Sequence, residues 1–91
     1  MVKNVFVIDF FPGWDGHFNK MDASTRSKIG KKIEQLPEIL HARHLKHGFP
    51  FFVVEVGQCR IVFKQENNIR TIYFVGNHKQ YERFYRHPLE S

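Results

Sequence analysis

The sequence predicts a small α+β protein whose elements follow the order β-α-α-β-β-β-α, with helices covering one face of an antiparallel sheet. Two observations indicate this class. Three strand-like segments follow one another between residues 51 and 75 with two residues between neighbours, which is the spacing of tight hairpins. A segment with apolar residues three to four positions apart precedes them, as in an amphipathic helix.

Length and composition restrict the architecture. We expect residues 1–91 to form a single domain, because a chain of this length has room for one hydrophobic core. The hydrophobic content of 42% and the aromatic content of 15% exclude a disordered chain. The single cysteine, Cys59, excludes an internal disulfide and a thiolate zinc cluster, so the fold depends on packing or on a partner.

The net charge of +5 favours an anionic partner, either nucleic acid or an acidic protein segment. Lys and Arg residues are concentrated between residues 26 and 47, so they can form one basic patch. The members of this cluster are Arg26, Lys28, Lys31, Lys32, Arg43 and Lys46. The alternative is that the charge only keeps a small aromatic-rich protein soluble.

The first strand is predicted over residues 5–11, which are β-branched and aromatic and are followed by Pro12-Gly13. Apolar side chains occur on both faces of this strand, so we expect it to lie in the interior of the sheet. The segment is too short to cross a bilayer and lacks a signal-peptide cleavage pattern. We therefore expect a cytoplasmic protein without a membrane partner.

Two helices are predicted before the hairpins. A short helix over residues 14–21 precedes a clearer one, in which Asp22 or Ser24 offers the N-cap oxygen. The clearer helix ends at Pro37, because the residue before a proline disfavours helical geometry. Its apolar positions recur at helical spacing and are Ile29, Ile33 and Leu36.

Residues 38–50 are predicted to be irregular, with one helical turn over residues 38–42. Three histidines in and after this turn are spaced by three and suggest a metal site: His41, His44 and His47. At most two of these histidines fit on one helical turn, and no Asp or Glu is positioned to complete a ligand set. We therefore predict no metal and no cofactor. A short helix over residues 79–86 closes the chain.

The segments Phe51–Val56, Cys59–Glu66 and 69–75 are predicted as strands joined by two tight turns. Gly57-Gln58 suits a type II′ turn, and Asn67-Asn68 tolerates type I′. Two-residue turns fix the register. The predicted pairs are Val56–Cys59, Glu55–Arg60 and Val53–Val62 in the first hairpin, and Lys64–Thr71, Val62–Tyr73 and Arg60–Val75 in the second.

Alternation along these strands assigns their side chains to two faces. The face expected to pack under the helix carries Phe52, Val54, Ile61, Phe63, Ile72 and Phe74. The other face carries Glu55, Arg60, Lys64 and Tyr73 beside Phe51, Val53, Val62 and Val75. We expect this second, mixed polar and aromatic face to be open and to suit a shallow anionic substrate.

Arg60 is the first candidate functional residue, because it interrupts an apolar strand where a hydrophobic residue would be safer. One interpretation is a cross-strand ion pair with Glu55, which contributes little when exposed. The other is a phosphate clamp, since a planar guanidinium binds two phosphate oxygens at once. The strand pattern alone leaves both open.

Residues 76–81, Gly-Asn-His-Lys-Gln-Tyr, form the second candidate segment, directly after the last strand. His78 can transfer a proton near neutral pH, Lys79 can neutralise a phosphate, and Tyr81 can stack or donate a hydrogen bond. Together with Arg60 they would suffice for metal-free RNA cleavage through attack of a 2′-hydroxyl on the adjacent phosphorus. The alternative is a Gly-Asn turn followed by a solvated helix start.

The motifs in these segments resemble those of the RelE/ParE toxin superfamily. Residues 56–63, Val-Gly-Gln-Cys-Arg-Ile-Val-Phe, resemble its G-x-Y-R-[IV]-x-[YF] strand, and residues 45–48, Leu-Lys-His-Gly, resemble its L-x-G turn. Residues 74–81 are similar to the F-[IV]-G-[TN]-H-K-x-Y segment of its RelE-like and HigB-like ribonucleases. The resemblance extends over residues 4–86, and the family has the element order predicted above.

The resemblance implies the toxin of a type II toxin–antitoxin system, an endoribonuclease that cleaves mRNA, often on the ribosome, and is neutralised by a cognate antitoxin. It implies that Arg60 contacts the scissile phosphate and that His78 is the general acid. Lys79 and Tyr81 match the neighbouring cationic and aromatic positions and complete the predicted catalytic set. The residues predicted to bind messenger or ribosomal RNA are Lys28, Lys31, Lys32, Lys46, Lys64, Tyr73 and Tyr85.

The sequence departs from the family pattern in two places. Cys59 stands where an aromatic residue usually precedes the strand arginine, and we interpret it as a small buried residue rather than a nucleophile. The preceding strand, residues 51–54, lacks the lysines of some RelE-type enzymes. The general base is therefore unassigned, and Glu55 is the available carboxylate if Arg60 does not merely neutralise it.

Two other functions stay open. A ParE-like gyrase inhibitor would have the same fold, but the His78-Lys79-x-Tyr81 segment argues against it. A double-stranded RNA-binding domain is disfavoured by the strand over residues 5–11, because that family begins with a helix. Trp14 and Phe18 are either core residues or part of a groove for an antitoxin helix.

Overall fold

The computed structural model describes residues 6–39, 42–44 and 51–86. The elements of this part of the chain are the strands β1 (Val7–Phe10), β2 (Arg43–His44), β3 (Phe51–Val56), β4 (Cys59–Glu66) and β5 (Ile69–Asn77), the α-helices α1 (Ala23–Gln35) and α2 (His78–Arg86), and a 3₁₀ helix (Phe18–Lys20). The predicted α+β class is confirmed. None of the described helices is long and apolar enough to cross a membrane.

The five described strands form one sheet in the order β1-β5-β4-β3-β2. β1 runs parallel to β5, and the other neighbours are antiparallel. The prediction that the first strand is interior is wrong, because β1 lies at one end of the sheet. Its two faces are apolar in sequence, yet Val7 is 57% exposed and Phe10 is 44% exposed.

The short segment before α1 contains the 3₁₀ helix Phe18–Lys20 rather than a helix over all of residues 14–21. Trp14 and Phe18 are partly buried against the core, with their ring centroids 5.2 Å apart. Phe10 adds a third ring, 4.9 Å from that of Trp14. Of the two interpretations of Trp14 and Phe18, core residues or an antitoxin groove, their contacts fit the first.

α1 begins where a side-chain cap satisfies a free backbone N–H. The Thr25 amide donates to Asp22 Oδ1 at 2.8 Å, so Asp22 rather than Ser24 is the N-cap. The same hydrogen bond lowers the pKa of the Asp22 carboxyl, with a smaller contribution from the nearby charges of Lys28 and Arg26. The helix ends before Pro37, as predicted.

The C-terminal end of α1 is held by a buried arginine that the sequence analysis did not single out. Arg70 is 1% exposed and donates to the Leu36 carbonyl at 2.9 Å and to Gln65 Oε1 at 3.0 Å. Its guanidinium carbon lies 3.7 Å from the centroid of the Phe6 ring. Burial lowers the pKa of Arg70. Arg70 thus joins β5 to the end of α1.

The first hairpin has the predicted register, with Glu55 opposite Arg60 and a positive φ of 60° at Gly57 in its turn. The second begins as predicted, with Lys64 opposite Thr71. In its turn only Asn67 has a positive φ, whereas the suggested type I′ turn needs one at both central positions.

Beyond a bulge at Tyr73, the predicted register of the second hairpin is wrong. Val62 pairs with Phe74 instead of Tyr73, and Arg60 pairs with Gly76 instead of Val75. An extra residue in one strand reverses the side-chain alternation beyond it. Phe74 and Val75 therefore exchange the faces that the sequence had assigned to them.

The sheet separates two hydrophobic clusters. The cluster under α1 comprises Ile29, Leu36, Cys59, Ile61, Phe63, Ile72 and Val75. The cluster on the other face comprises Phe51, Val53, Val62 and Phe74, and Tyr81 and Phe84 of α2 pack against it. The two helices thus lie on opposite faces, and α2 covers part of the face that was expected to be open.

Candidate active site

A cleft of about 370 Å³ opens where the β3–β4 hairpin meets the start of α2. Residues from four elements line it: Arg43 and His44 of β2, Glu55 of β3, Arg60 of β4, and His78, Tyr81 and Glu82 of α2. Every one of these side chains is charged, titratable or a hydrogen-bonding aromatic. The cleft therefore brings two arginine side chains together with carboxylate, imidazole and phenol groups.

Arg60 is the least exposed charged side chain among the ion pairs of this cleft, with 16% of its surface accessible. Its Nε lies 3.7 Å from Glu55 Oε2, which is too long for a hydrogen bond, and Nε is buried without a hydrogen-bond partner. Nη1 donates to its neighbour's backbone, the Cys59 carbonyl, at 3.4 Å. The predicted ion pair with Glu55 is present but leaves the Nε donor of Arg60 unused.

The carboxylate of Glu55 lies between two arginines. Its Oε2 atom accepts a hydrogen bond from Arg43 Nη2 at 3.2 Å and also faces Arg60. Arg43 pairs with Val53, two residues from Glu55, so its side chain reaches Glu55 diagonally on the same face of the sheet. Glu55 is 54% exposed and Arg43 is 62% exposed, so this pair contributes less than about 1 kcal/mol to stability.

Tyr81 forms the aromatic wall of the cleft. The guanidinium carbon of Arg60 lies 5.7 Å from the centroid of its ring, within the range of a cation–π contact. Tyr81 also packs against the cluster of Phe51, Val53, Val62 and Phe74. The ring therefore links the cleft to the core under α2.

A reciprocal cap fixes the start of α2. The Asn77 amide donates to Gln80 Oε1 at 2.8 Å, and the Gln80 amide donates to Asn77 Oδ1 at 2.9 Å. This arrangement places His78 in the first turn, where its Nε2 lies 3.1 Å from Glu82 Oε2. Asn followed three residues later by Gln is the sequence signal of this cap.

The structure brings together three of the four predicted catalytic residues, together with the candidate base. Arg60, His78 and Tyr81 line the cleft with Glu55. Lys79 is exposed in the first turn of α2 and is not among the lining residues. Neighbouring positions on a helix point about 100° apart, which explains why His78 lines the cleft and Lys79 does not.

The predicted RNA-binding residues are scattered. Lys28 and Lys31 are exposed and Lys32 is partly buried on α1, the helix on the opposite face of the sheet from the cleft. Lys46 and the side chain of Tyr85 lie outside the described residues, as does the turn motif at residues 45–48.

Two of these residues already have partners in the protein. Lys64 Nζ forms an ion pair of 3.5 Å with Glu66 Oε2. Tyr73 stacks on Phe11 with ring centroids 4.2 Å apart and meets the edge of Phe51 at 5.1 Å. The packing of Tyr73 favours a structural role, whereas the exposed Lys64–Glu66 pair contributes little.

Three lining residues were missed as site residues: Arg43, His44 and Glu82. β2 has only two residues, too few to give a strand pattern, so no periodicity marked Arg43 and His44. Glu82 did carry a signal, since it lies four residues after His78 and therefore one helical turn away.

Two of the three evenly spaced histidines, His41 and His47, lie outside the described residues. Among the described residues, no group of three His, Cys, Asp or Glu side chains could hold a metal ion. His41 and His47 lie outside those residues, so the predicted absence of a metal stays a prediction. Cys59 is 8% exposed, and burial raises the pKa of its thiol, which fits its interpretation as a small buried residue.

Comparisons with known proteins agree with the fold. No family model matches the sequence, and no curated protein matches it. The structure is similar to that of a double Arg-to-Ala mutant of the Escherichia coli toxin RelE in its free state. The alignment covers 89% of this chain and 90% of that chain, with a TM-score of 0.66 and 19% sequence identity. The chain therefore has the fold of the RelE toxin, as its sequence motifs implied.

Proposed function

We propose that the protein is the toxin of a type II toxin–antitoxin system and that its cleft cleaves mRNA without a metal ion, on the ribosome. One observation carries the proposal: Arg60, Glu55 and His78 line the same cleft. They supply a phosphate-binding cation, a carboxylate base and an imidazole acid, the set that cleavage by an RNA 2′-hydroxyl requires. The RelE-like fold supports the same conclusion.

The proposed reaction transfers two protons and exchanges one bond at phosphorus. Glu55 takes the proton of the 2′-hydroxyl, and the 2′-oxygen forms a bond to the adjacent phosphorus. The bond from phosphorus to the 5′-oxygen breaks, and His78 in its imidazolium form protonates that oxygen. The products are a 2′,3′-cyclic phosphate and a 5′-hydroxyl. Arg60 stabilises the additional negative charge on the phosphate oxygens.

The remaining predicted residues act around this centre. Tyr81 offers a ring on which a base can stack, and Lys79 adds positive charge beside the cleft. Lys28, Lys31 and Lys32 of α1 form a basic surface for ribosomal RNA on the far face. Lys46 is included among the RNA contacts because of its charge alone. Tyr73 is left out of the RNA surface because its ring packs against Phe11 and Phe51. Lys64 stays a proposed RNA contact, since its exposed ion pair with Glu66 contributes little.

The partners and location follow from the same proposal. A cognate antitoxin binds the protein and blocks the cleft, and the protein acts in the cytoplasm where ribosomes translate. Gyrase inhibition is the second candidate, because ParE-like toxins share the fold. The acid, base and cation in one cleft favour cleavage over gyrase inhibition, since an inhibitor needs no proton-transferring pair.

The test compares RNA cleavage with gyrase inhibition in purified systems. Wild type should cut mRNA on translating ribosomes, and any activity on free mRNA should persist in EDTA. Arg60→Ala and His78→Ala should each cut at least about 10²-fold more slowly. Arg83→Ala should match wild type because Arg83 is an exposed arginine of α2 that does not line the cleft. Inhibition of gyrase supercoiling without RNA cleavage would favour the second candidate, and duplex RNA binding without turnover would favour an RNA-binding domain.

A further inference from the structure

The arginines on either side of Glu55 contact the same carboxylate oxygen. Arg43 Nη2 lies 3.2 Å from Glu55 Oε2 and Arg60 Nε lies 3.7 Å from it. The three residues come from three adjacent strands, β2, β3 and β4, so the sheet itself places the anion between the cations. A phosphate bound at this position would also place a negatively charged oxygen between the two guanidinium groups.

The contact with Arg60 is incomplete. Arg60 Nε is buried and makes no hydrogen bond, although a buried N–H group ordinarily has a partner. At 3.7 Å the Glu55 oxygen neutralises the guanidinium without using this donor. A phosphate oxygen placed slightly closer would satisfy it, so the cleft is better matched to a phosphate than to its own carboxylate.

We propose that the Glu55 carboxylate stands in for the scissile phosphate in the free protein, and that RNA displaces it from Arg60 and Arg43. This inference rests on the proposed function. Displacement places the phosphate on both arginines and releases the Glu55 carboxylate toward the 2′-hydroxyl. Arg43 thereby becomes a second phosphate ligand, and the base is free to act only when a phosphate is bound.

The other carboxylate of the cleft provides a matched control. Glu82 lines the same cleft and is exposed to a similar degree, 53% against 54% for Glu55. Its Oε2 atom faces His78 Nε2 instead of the arginines. Removal of either charge makes the cleft less negative by the same amount, but only the removal of Glu55 vacates the proposed phosphate position.

The experiment measures binding of a single-stranded RNA oligonucleotide with 2′-fluoro substitutions, which lacks the attacking hydroxyl and cannot be cleaved by the proposed route. Fluorescence anisotropy at fixed salt gives its Kd. Glu55→Gln should tighten binding about two- to fivefold, the range expected when a partly exposed ion-pair partner stops competing. Glu82→Gln should change the Kd by less than about twofold.

A double-mutant cycle assigns the effect to Arg60. In an Arg60→Ala background the gain from Glu55→Gln should become smaller, because the carboxylate then competes with RNA only for Arg43. In the Glu55→Gln background, Arg43→Ala should weaken binding and reduce the slope of log Kd against log salt by about 0.7, as expected for one lost phosphate contact. Arg83→Ala in the same background should change neither quantity.

Each result decides the inference independently of catalysis. Equal effects of Glu55→Gln and Glu82→Gln, a gain that is undiminished without Arg60, or no binding by either wild type or Glu55→Gln would overturn it. If wild type cleaves ordinary RNA while Glu55→Gln leaves the affinity for the 2′-fluoro probe unchanged, the nuclease proposal stands and the inference fails. If Glu55→Gln tightens binding as predicted while wild type cleaves no RNA, the phosphate site stands and the nuclease proposal fails.

Discussion

Gly76 lies directly opposite Arg60 in the β4–β5 ladder, and a Cβ atom at Gly76 would lie 2.5 Å from Cζ of Phe74. The same Cβ atom would lie 2.9 Å from Gln80 Oε1, the atom that accepts the hydrogen bond from the Asn77 amide. The missing side chain therefore allows the Phe74 ring and the helix cap to close over the strand. This closure sets where α2 begins and hence where His78 lies.

Gly76→Ala should destabilise the protein by about 1–3 kcal/mol, because the added methyl group has to displace the Phe74 ring or the Gln80 side chain. Gly30→Ala is the control, since a Cβ atom there meets nothing within 4 Å and the site is inside α1. That substitution should stabilise the protein by about 0.5–1 kcal/mol. Urea unfolding measures both, and equal stability of the two variants would contradict the tight packing at Gly76.

Arg60→Ala should lower the rate of RNA cleavage by about 10²- to 10³-fold, the cost of removing one group that stabilises transition-state charge. Arg60→Lys should recover little of this loss. An ammonium group is a point charge and cannot reproduce the planar fork that contacts two phosphate oxygens. Single-turnover rates test both variants. Full activity of Arg60→Lys would show that only the charge matters at this position.

His78→Ala should lower the cleavage rate by about 10²- to 10⁴-fold if His78 protonates the leaving 5′-oxygen. A substrate with sulfur in place of that bridging oxygen needs no protonation, because a thiolate is a good leaving group. His78→Ala should therefore cut the sulfur substrate at nearly the wild-type rate, whereas Arg60→Ala should remain impaired. Failure of the sulfur substrate to rescue His78→Ala would remove His78 from the role of general acid.

The Asp22 cap should make stability depend on acid pH. Hydrogen bonding to the Thr25 amide holds the pKa of Asp22 below its ordinary value of 3.8 in the folded state. A carboxyl whose pKa is lower in the folded than in the unfolded state stabilises the protein above 3.8, and this stabilisation is lost as the pH falls through the folded pKa. Asp22→Asn keeps a capping oxygen without the charge.

Urea midpoints measured above and below this range test the Asp22 cap. The wild type should be the more stable of the two proteins at neutral pH, and its advantage over Asp22→Asn should shrink in acid. A constant difference at all pH values would show that the charge of Asp22 makes no contribution. Thr25 is unchanged in both proteins, so the amide donor is present throughout.

The sequence could predict those parts of the fold that depend on local rules. The first hairpin followed from the turn Gly57-Gln58. The start of α1 was limited to two candidate N-caps, Asp22 and Ser24, of which the structure uses Asp22. The second register failed at Tyr73, because no local pattern distinguishes a bulged residue from a paired one. Arg70 was missed since its burial depends on Leu36, which lies 34 residues away in the chain.

The candidate site was also predictable only where local sequence motifs mark its residues. Arg60 and His78 belong to motifs that resemble those of a known family, and the structure places both in the cleft. Arg43 comes from a two-residue strand with no pattern of its own, and only tertiary structure brings it to Glu55. The sequence also left Glu55 between two roles, ion-pair partner and general base. The structure shows the carboxylate facing both Arg43 and Arg60.

The most direct test of the central claim is the chemistry of the RNA ends that the purified protein produces from mRNA on translating ribosomes. Attack by the 2′-hydroxyl predicts a 2′,3′-cyclic phosphate on one fragment and a 5′-hydroxyl on the other, with both fragments formed at least about 10²-fold more slowly by Arg60→Ala. Fragments with 3′-hydroxyl and 5′-phosphate ends, intact mRNA with wild type, or equal cleavage by Arg60→Ala would contradict it.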